Sequence, residues 1–204
     1  TSNRVIAGHG GVPMSITGSE ANALTHRQRL LSCAIMTTIS TVLNDDPCLN
    51  VRLDGQVCQK IVIVLDTQLR MPDDANVFDT AEKVIVMHSC RDQQRIQCVQ
   101  DRGGDCIFIP SSPEGLDLSR VLSQLGEMGF HSLWLECGGR ALQQFFRVGG
   151  VAEFWLYVAN KIEHDAWPLS FVTQPSLPVG RFKDVQMLGD DALFILELEK
   201  SPEA

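Results

Sequence analysis

This sequence lacks paired cysteines, a surplus of basic charge and any long apolar run. Its 204 residues include seven cysteines, at 33, 48, 58, 90, 98, 106 and 137, and no two form a C-x-x-C pair. An odd number without close pairs excludes a tidy disulfide framework and the usual zinc-ribbon spacing. The expectation is reduced thiols in a cytoplasmic protein, several of them packed as small hydrophobes. The five histidines, at 9, 26, 88, 131 and 164, form no H-x-x-x-H pair, so no metal site is expected. Seventeen basic residues against 25 acidic ones leave a net charge of −8. That excludes the basic footprint of a nucleic-acid or anionic-membrane partner. The most apolar stretch, Ile61 to Leu65, is far short of the roughly 20 residues that span a bilayer. The opening TSNRVIAG is too short and polar for a signal peptide.

Several chemical fingerprints are missing as well. There is no G-x-G-x-x-G, no Walker A sequence and no G-x-S-x-G elbow. Without that elbow, His9-Gly10-Gly11 reads as an ordinary glycine loop. Neither the H-x-E nor the P-C-x-x-C half of a zinc deaminase is present.

What remains is an ordinary globular composition, 44% hydrophobic and 21% charged. No repeat, and no linker rich in Pro, Gly or Ser, divides the chain, so one domain over 1–204 is expected. Ser19 to Ser32 predicts a helix, with Thr17 or Ser19 as cap and Glu20 in its first turn. Short apolar segments predict strands at 34–37, 60–66, 83–87, 106–109 and 132–135. Helices are predicted between them, in the polar segment 89–99 and at 118–128. In the second of these, Leu118, Val121, Leu122, Leu125 and Met128 keep three-and-four spacing before Gly129. Thr41 to Arg52 is expected to be irregular around its Asp-Pro. A helix over 140–147 precedes strands at 154–159, 185–188 and 192–198. Alternating elements followed by consecutive strands predict an α/β fold: a mixed, mostly parallel sheet with antiparallel strands at its C-terminal edge.

Two segments have chemical promise. In Glu136-Cys137-Gly138-Gly139-Arg140 a strand ends in a carboxylate and passes through two glycines into a helix. Such a turn exposes backbone N–H groups to an anion at a helix N-terminus, although a tight turn that merely needs positive φ gives the same sequence. In Thr41 to Arg52, two carboxylates, Asp45 and Asp46, are stiffened by Pro47, with Arg52 six residues after Asp46. A solvated, Asp-capped turn is the alternative there.

Taken in order, T-x-x-x-D-D-P-x-L-x-x-R, then Leu65-Asp66-Thr67 followed by Leu69-Arg70-Met71-Pro72, then W-x-E-C-G-G, resemble the riboflavin-biosynthesis pyrimidine reductases. These form the reductase half of bacterial deaminase–reductases and are relatives of dihydrofolate reductase. The resemblance runs from about Thr1 to Ala159 and weakens beyond. It implies a dihydrofolate-reductase-like fold, with helices flanking the sheet, and NADPH-dependent reduction of a phosphoribosylamino-pyrimidine to its ribityl product in the cytoplasm. It also implies a homodimer through the late strands, where the FWLYVA run is apolar enough to be covered. Substrate contacts would fall to Arg29 (with Arg27 as its neighbour in the next register), Leu49, Arg52 and Glu136. Cofactor contacts would fall to Ser15, Thr17, Thr41, Asp45, Thr67, Gly138, Gly139, Arg140 and Ala141.

The sequence also departs from the family pattern. The first strand and its lysine are missing, Ser15 stands where an aromatic is common, and V-D-E-L is Val151-Ala152-Glu153-Phe154. A piece of a longer chain with a zinc deaminase domain upstream is one explanation, and divergence is the other. A catalytically silent module of the same fold, or a reductase of another heterocycle such as a pterin, are the competing expectations.

Overall fold

A computed structural model describes residues 17–160 and 179–199. The chain divides into two compact units, His26–Gly138 and a second unit built from the residues on either side of it.

The His26–Gly138 unit begins within helix α1 (Ser19–Leu31), which leads into β1 (Ala34–Thr38) and α2 (Ile39–Asp45). A hairpin of β2 (Val51–Leu53) and β3 (Gln56–Cys58) follows, then β4 (Ile61–Leu65), α3 (Asn76–Thr80) and β5 (Lys83–His88). The rest is α4 (Gln93–Asp101), β6 (Asp105–Phe108), a small hairpin of β7 (Ser111–Ser112) and β8 (Gly115–Leu116), α5 (Leu118–Glu127) and β9 (Leu133–Glu136). Five strands pair in parallel in the order β6-β5-β4-β1-β9.

The inner strands β4 and β5 are buried along almost their whole length. This is why they read as unbroken apolar runs and not as alternating ones. Ile35, Val62, Val64, Val84 and Val86 meet Ile39, Val42, Leu49, Val77 and Val99 in one core. Helix α5 buries Leu118, Val121 and Leu125 outside that cluster, with the Asp117 carboxylate accepting the Arg120 N–H at its start and Gly129 at φ +88° just past its end.

Gly104, between α4 and β6, has no room for a side chain. A Cβ there would lie 2.7 Å from Val99 Cγ1, 3.1 Å from the Val99 carbonyl oxygen and 3.2 Å from Phe78. Gly104→Ala is expected to destabilise the protein by about 1–3 kcal/mol through overpacking, measured as the shift of a urea unfolding midpoint.

One local expectation is corrected. Thr41 to Asp45 is helical, not irregular, because α2 continues until Pro47 stops it. The residue before a proline is disfavoured in the right-handed helical region, and Asp46 turns left-handed at φ 38°.

The second unit carries α6 (Gly139–Arg147), β10 (Glu153–Val158), β11 (Gly180–Leu188) and β12 (Asp191–Leu198). The three strands pair antiparallel in the order β10-β12-β11 as a sheet of their own. Buried Asp191 ties it together, accepting the Gly18 N–H at 2.7 Å and the Asn160 N–H at 3.3 Å. Phe146 of α6 meets Phe154 of β10 edge to face at 5.4 Å. The fold is therefore the expected α/β class, a parallel sheet with interspersed helices followed by antiparallel strands. Among the described residues no helix is long and apolar enough to cross a membrane.

Candidate functional site

Parallel pairing collects the sequence motifs at one edge of the five-stranded sheet. Adjacent strands β4, β1 and β9 end together, with Thr38 opposite Leu65 and Thr37 opposite Glu136. From these carboxyl ends the chain runs into α2 with Thr41 and Asp45, into Asp66-Thr67, and from Glu136 into Cys137-Gly138. The carboxyl ends of strands in open α/β sheets are where ligands bind.

Arg29 and Glu136 form the centre. Arg29 Nε donates to Glu136 Oε1 at 2.6 Å and Nη2 to Oε2 at 2.7 Å, a two-pronged ion pair. Its Nη1 donates to the Asn50 carbonyl at 2.8 Å. Trp134 Nε1 donates to Glu136 Oε1 at 2.8 Å, and Thr37 Oγ1 holds the Glu136 backbone carbonyl at 2.7 Å. Carboxylate and guanidinium are thus held in one orientation.

The two adjacent aspartates part company. Asp46, though exposed, holds the start of α3, its carboxylate accepting from the Asn76 N–H at 2.9 Å and Asn76 Nδ2 at 2.7 Å. Asp45, last in α2, stays at the surface, where partial burial pushes its carboxyl above the usual range. Leu49 has φ 46° and packs into the core at 2% exposure, so it supports the turn and presents little surface of its own. Arg52 is exposed, and its guanidinium has no ion-pair or hydrogen-bond partner among the described residues. Arg27 is exposed too.

Beside Thr67, Asp66 is fully buried. Its Oδ2 accepts the N–H groups of Arg70 and Met71 at 2.5 and 2.9 Å, while Oδ1 has no partner among the described residues. Burial pushes this carboxyl up against the pull of those hydrogen bonds. Cys137 is pushed up to about 12 by burial, so it remains a thiol and not a nucleophile. All seven cysteines are free.

In the second unit, Gly139, Arg140 and Ala141 open the nine-residue α6, whose first turn contains no acidic residue; Arg140 is exposed. Thr17 is half-buried, with its hydroxyl 3.4 Å from Asn22 Oδ1. Ser15 lies outside the described residues.

Sequence reasoning assigned no role to Trp134, Asn50 or His26. Trp134 had a signal, since W-x-E on a strand puts both side chains on one face. His26 had one in its three-residue spacing from Arg29 on a helix. Asn50 acts through its backbone carbonyl, which no side-chain pattern reveals.

Over residues 5–191 the chain matches the family model of the RibD C-terminal domain. The riboflavin biosynthesis protein RibD of Aquifex aeolicus is 26% identical over 186 residues, covering 89% of this chain and 51% of that protein. A 5-amino-6-(5-phosphoribosylamino)uracil reductase of Buchnera aphidicola is 24% identical over 203 residues, covering 91% and 96%. Among solved structures, RibD of Acinetobacter baumannii aligns with a TM-score of 0.77 at 26% identity, over 96% of this chain and 54% of that one. The chain spans about half the length of the Aquifex and Acinetobacter proteins and nearly all of the Buchnera one.

Proposed function

The chain belongs to the RibD C-terminal domain family, and from that premise we propose that it is an NADPH-dependent pyrimidine reductase of riboflavin biosynthesis. It converts the ribosyl group of 5-amino-6-(5-phosphoribosylamino)uracil, or of the related diaminopyrimidine, to a ribityl chain. The observation that carries this reading is the polar centre at the carboxyl edge. An oriented carboxylate, Glu136, and an exposed guanidinium, Arg52, which has no partner among the described residues, both lie close enough to His26 to act on its charge. A phosphorylated, hydrogen-bonding pyrimidine needs both an anion site and an acceptor for its N–H groups.

Glu136 accepts hydrogen bonds from the substrate and Arg52 binds its phosphate or the flat pyrimidine, while Arg29 completes the substrate side and Leu49, buried, supports the turn that carries Arg52. Thr41, Asp45, Thr67, Gly138, Gly139, Arg140, Ala141, Thr17 and Ser15 are the cofactor residues. Gly138 and the start of α6 support a site for a dinucleotide phosphate: a Cβ on Gly138 would meet nothing within 4 Å, and the first turn of α6 is free of acid with Arg140 exposed. When bound, NADPH supplies the hydride for the sugar C1, and the protein's share is orientation and polarisation. Cys137 takes no part.

The same reading makes the chain one reductase domain, a cytoplasmic homodimer through the late strands, and a partner or fused neighbour of a deaminase. Exposed Phe182, Val185 and Met187 on the edge strand β11 support the dimer.

The test is NADPH oxidation by purified protein supplied with the phosphoribosylamino-pyrimidine, together with a thermal shift in NADPH alone. At a hundredfold excess over Kd a bound nucleotide adds about 2.7 kcal/mol, which for a chain of this size is about 5–10 °C. Turnover supports the reading. A shift without turnover points to another heterocycle, and no shift points to a silent module.

A further inference from the structure

His26 lies one turn before Arg29 on α1, and nothing in the proposed reaction uses it. Its Nδ1 accepts the backbone N–H of Arg52 at 3.1 Å. That N–H needs an acceptor for a topological reason. The β2–β3 hairpin pairs Val51 with Cys58, Arg52 with Val57 and Leu53 with Gln56 across a two-residue turn. In such a ladder the pair next to the turn exchanges both backbone hydrogen bonds, and the following pair exchanges none. Arg52 is in that following pair, so its N–H faces away from β3 and toward α1.

An accepting Nδ1 carries no proton, so the bond exists only while the ring is neutral with its hydrogen on Nε2. The charged groups around the ring are Arg29 on α1, Arg52 on β2 and Glu136 on β9, with the Asn50 carbonyl beside it. Burial first, then Arg29 and Arg52, hold the imidazole below the ordinary histidine value; Glu136 and the Asn50 carbonyl pull the other way. Arg52 has no side-chain partner among the described residues, so only its backbone determines where its guanidinium starts from.

We propose that His26 is a positioning residue for substrate binding: its neutral imidazole fixes the backbone of Arg52, and protonation of the ring releases it. The proposal rests on the reading of Arg52 as a substrate-binding arginine. Because the folded value lies below the unfolded 6.5, the stability that His26 contributes is complete above that pH and is lost as pH falls through the folded value.

Two variants test it. His26→Leu keeps bulk without an acceptor. His26→Asn puts a non-titrating oxygen where Nδ1 stood. Steady-state kinetics with NADPH and the phosphoribosylamino-pyrimidine between about pH 5 and pH 8 should show KM for the pyrimidine about tenfold higher in His26→Leu, with kcat within about twofold. His26→Asn should keep the wild-type KM near pH 8 and lose the part of the acid-side rise that wild type shows. An unchanged KM in His26→Leu, or identical pH profiles for wild type and His26→Asn, would overturn the proposal.

A second readout needs no activity. In ¹⁵N spectra of the free protein, Nδ1 should be the unprotonated nitrogen, and amide exchange at Arg52 should accelerate about tenfold in His26→Leu. A protonated Nδ1, or unchanged exchange, would also overturn it. A wild-type protein that protects Arg52 but turns nothing over would instead refute the reductase reading while leaving His26 as the anchor of Arg52.

Discussion

Arg29→Ala is expected to lower the melting temperature by about 4–8 °C and to weaken pyrimidine binding at the same time. The guanidinium holds both oxygens of Glu136, at 2.6 and 2.7 Å, and the Asn50 carbonyl at 2.8 Å. Its side chain is 11% exposed and that of Glu136 25%. Removing one partner of a buried pair costs about 3–5 kcal/mol because the other charge is left uncompensated. A quarter-exposed carboxylate recovers part of that in water, which leaves about 2 kcal/mol. For a chain of this length each kcal/mol moves the melting temperature by about 2–4 °C. Glu136 would keep the Trp134 N–H and lose its fixed orientation, so the substrate would meet a carboxylate that must first be ordered. Arg29→Lys should fall between wild type and Arg29→Ala, because an ammonium restores the charge without the fork. Calorimetry decides: a melting temperature within a degree or so of wild type in Arg29→Ala would mean that the pair contributes nothing in solution.

Arg52→Ala is expected to behave in the opposite way, with KM for the pyrimidine up by about 10- to 100-fold and no measurable loss of stability. A hydrogen bond to a charged group contributes about 1.5–3 kcal/mol, which sets the scale of the loss. Stability is spared because the Arg52 guanidinium is exposed and holds nothing among the described residues. Its backbone bonds to His26 and the pairing of β2 with β3 survive the substitution. The Kd of NADPH should change by less than about threefold. Titration calorimetry with NADPH, beside steady-state kinetics in the pyrimidine, separates the two. Equal losses of both ligands would move Arg52 to the cofactor side. Rising ionic strength should weaken wild-type substrate binding more than that of Arg52→Ala, because an exposed cation facing a phosphate is screened.

These two arginines show what a linear reading reaches. Arg52 closes a twelve-residue motif that begins at Thr41, so both its place and its promise were visible in one segment. Arg29 was placed by resemblance alone, and nothing local tells that its fork closes on Glu136. The helix over Thr41 to Asp45 was hidden by the Asp-Pro that ends it. The β2–β3 hairpin carried the strongest short turn signal in the chain, Asp54-Gly55, with both residues at positive φ, 51° and 75°. That signal would have shown that the N–H of Arg52 points away from β3; that it meets His26 is decided by where α1 packs. The separation of Asp45 from Asp46 was not legible, because both are short polar residues in one turn, and only the position of Asn76 decides which of them it bonds.

The sequence by itself determined the types of the main elements. Buried parallel strands must be apolar on both faces, and an amphipathic helix must repeat its apolar side at three and four. Those demands are local and leave local patterns in β4, β5 and α5. It also determined the motif order on which the family resemblance rests. The tertiary structure decided what those motifs touch. Glu136 reaches Arg29, and His26 reaches the Arg52 amide, because β9 pairs in parallel with β1 and β2 turns back on β3. Strand order and register come from how whole elements bury one another. Contacts between residues far apart in the chain therefore appear only once the sheet is assembled.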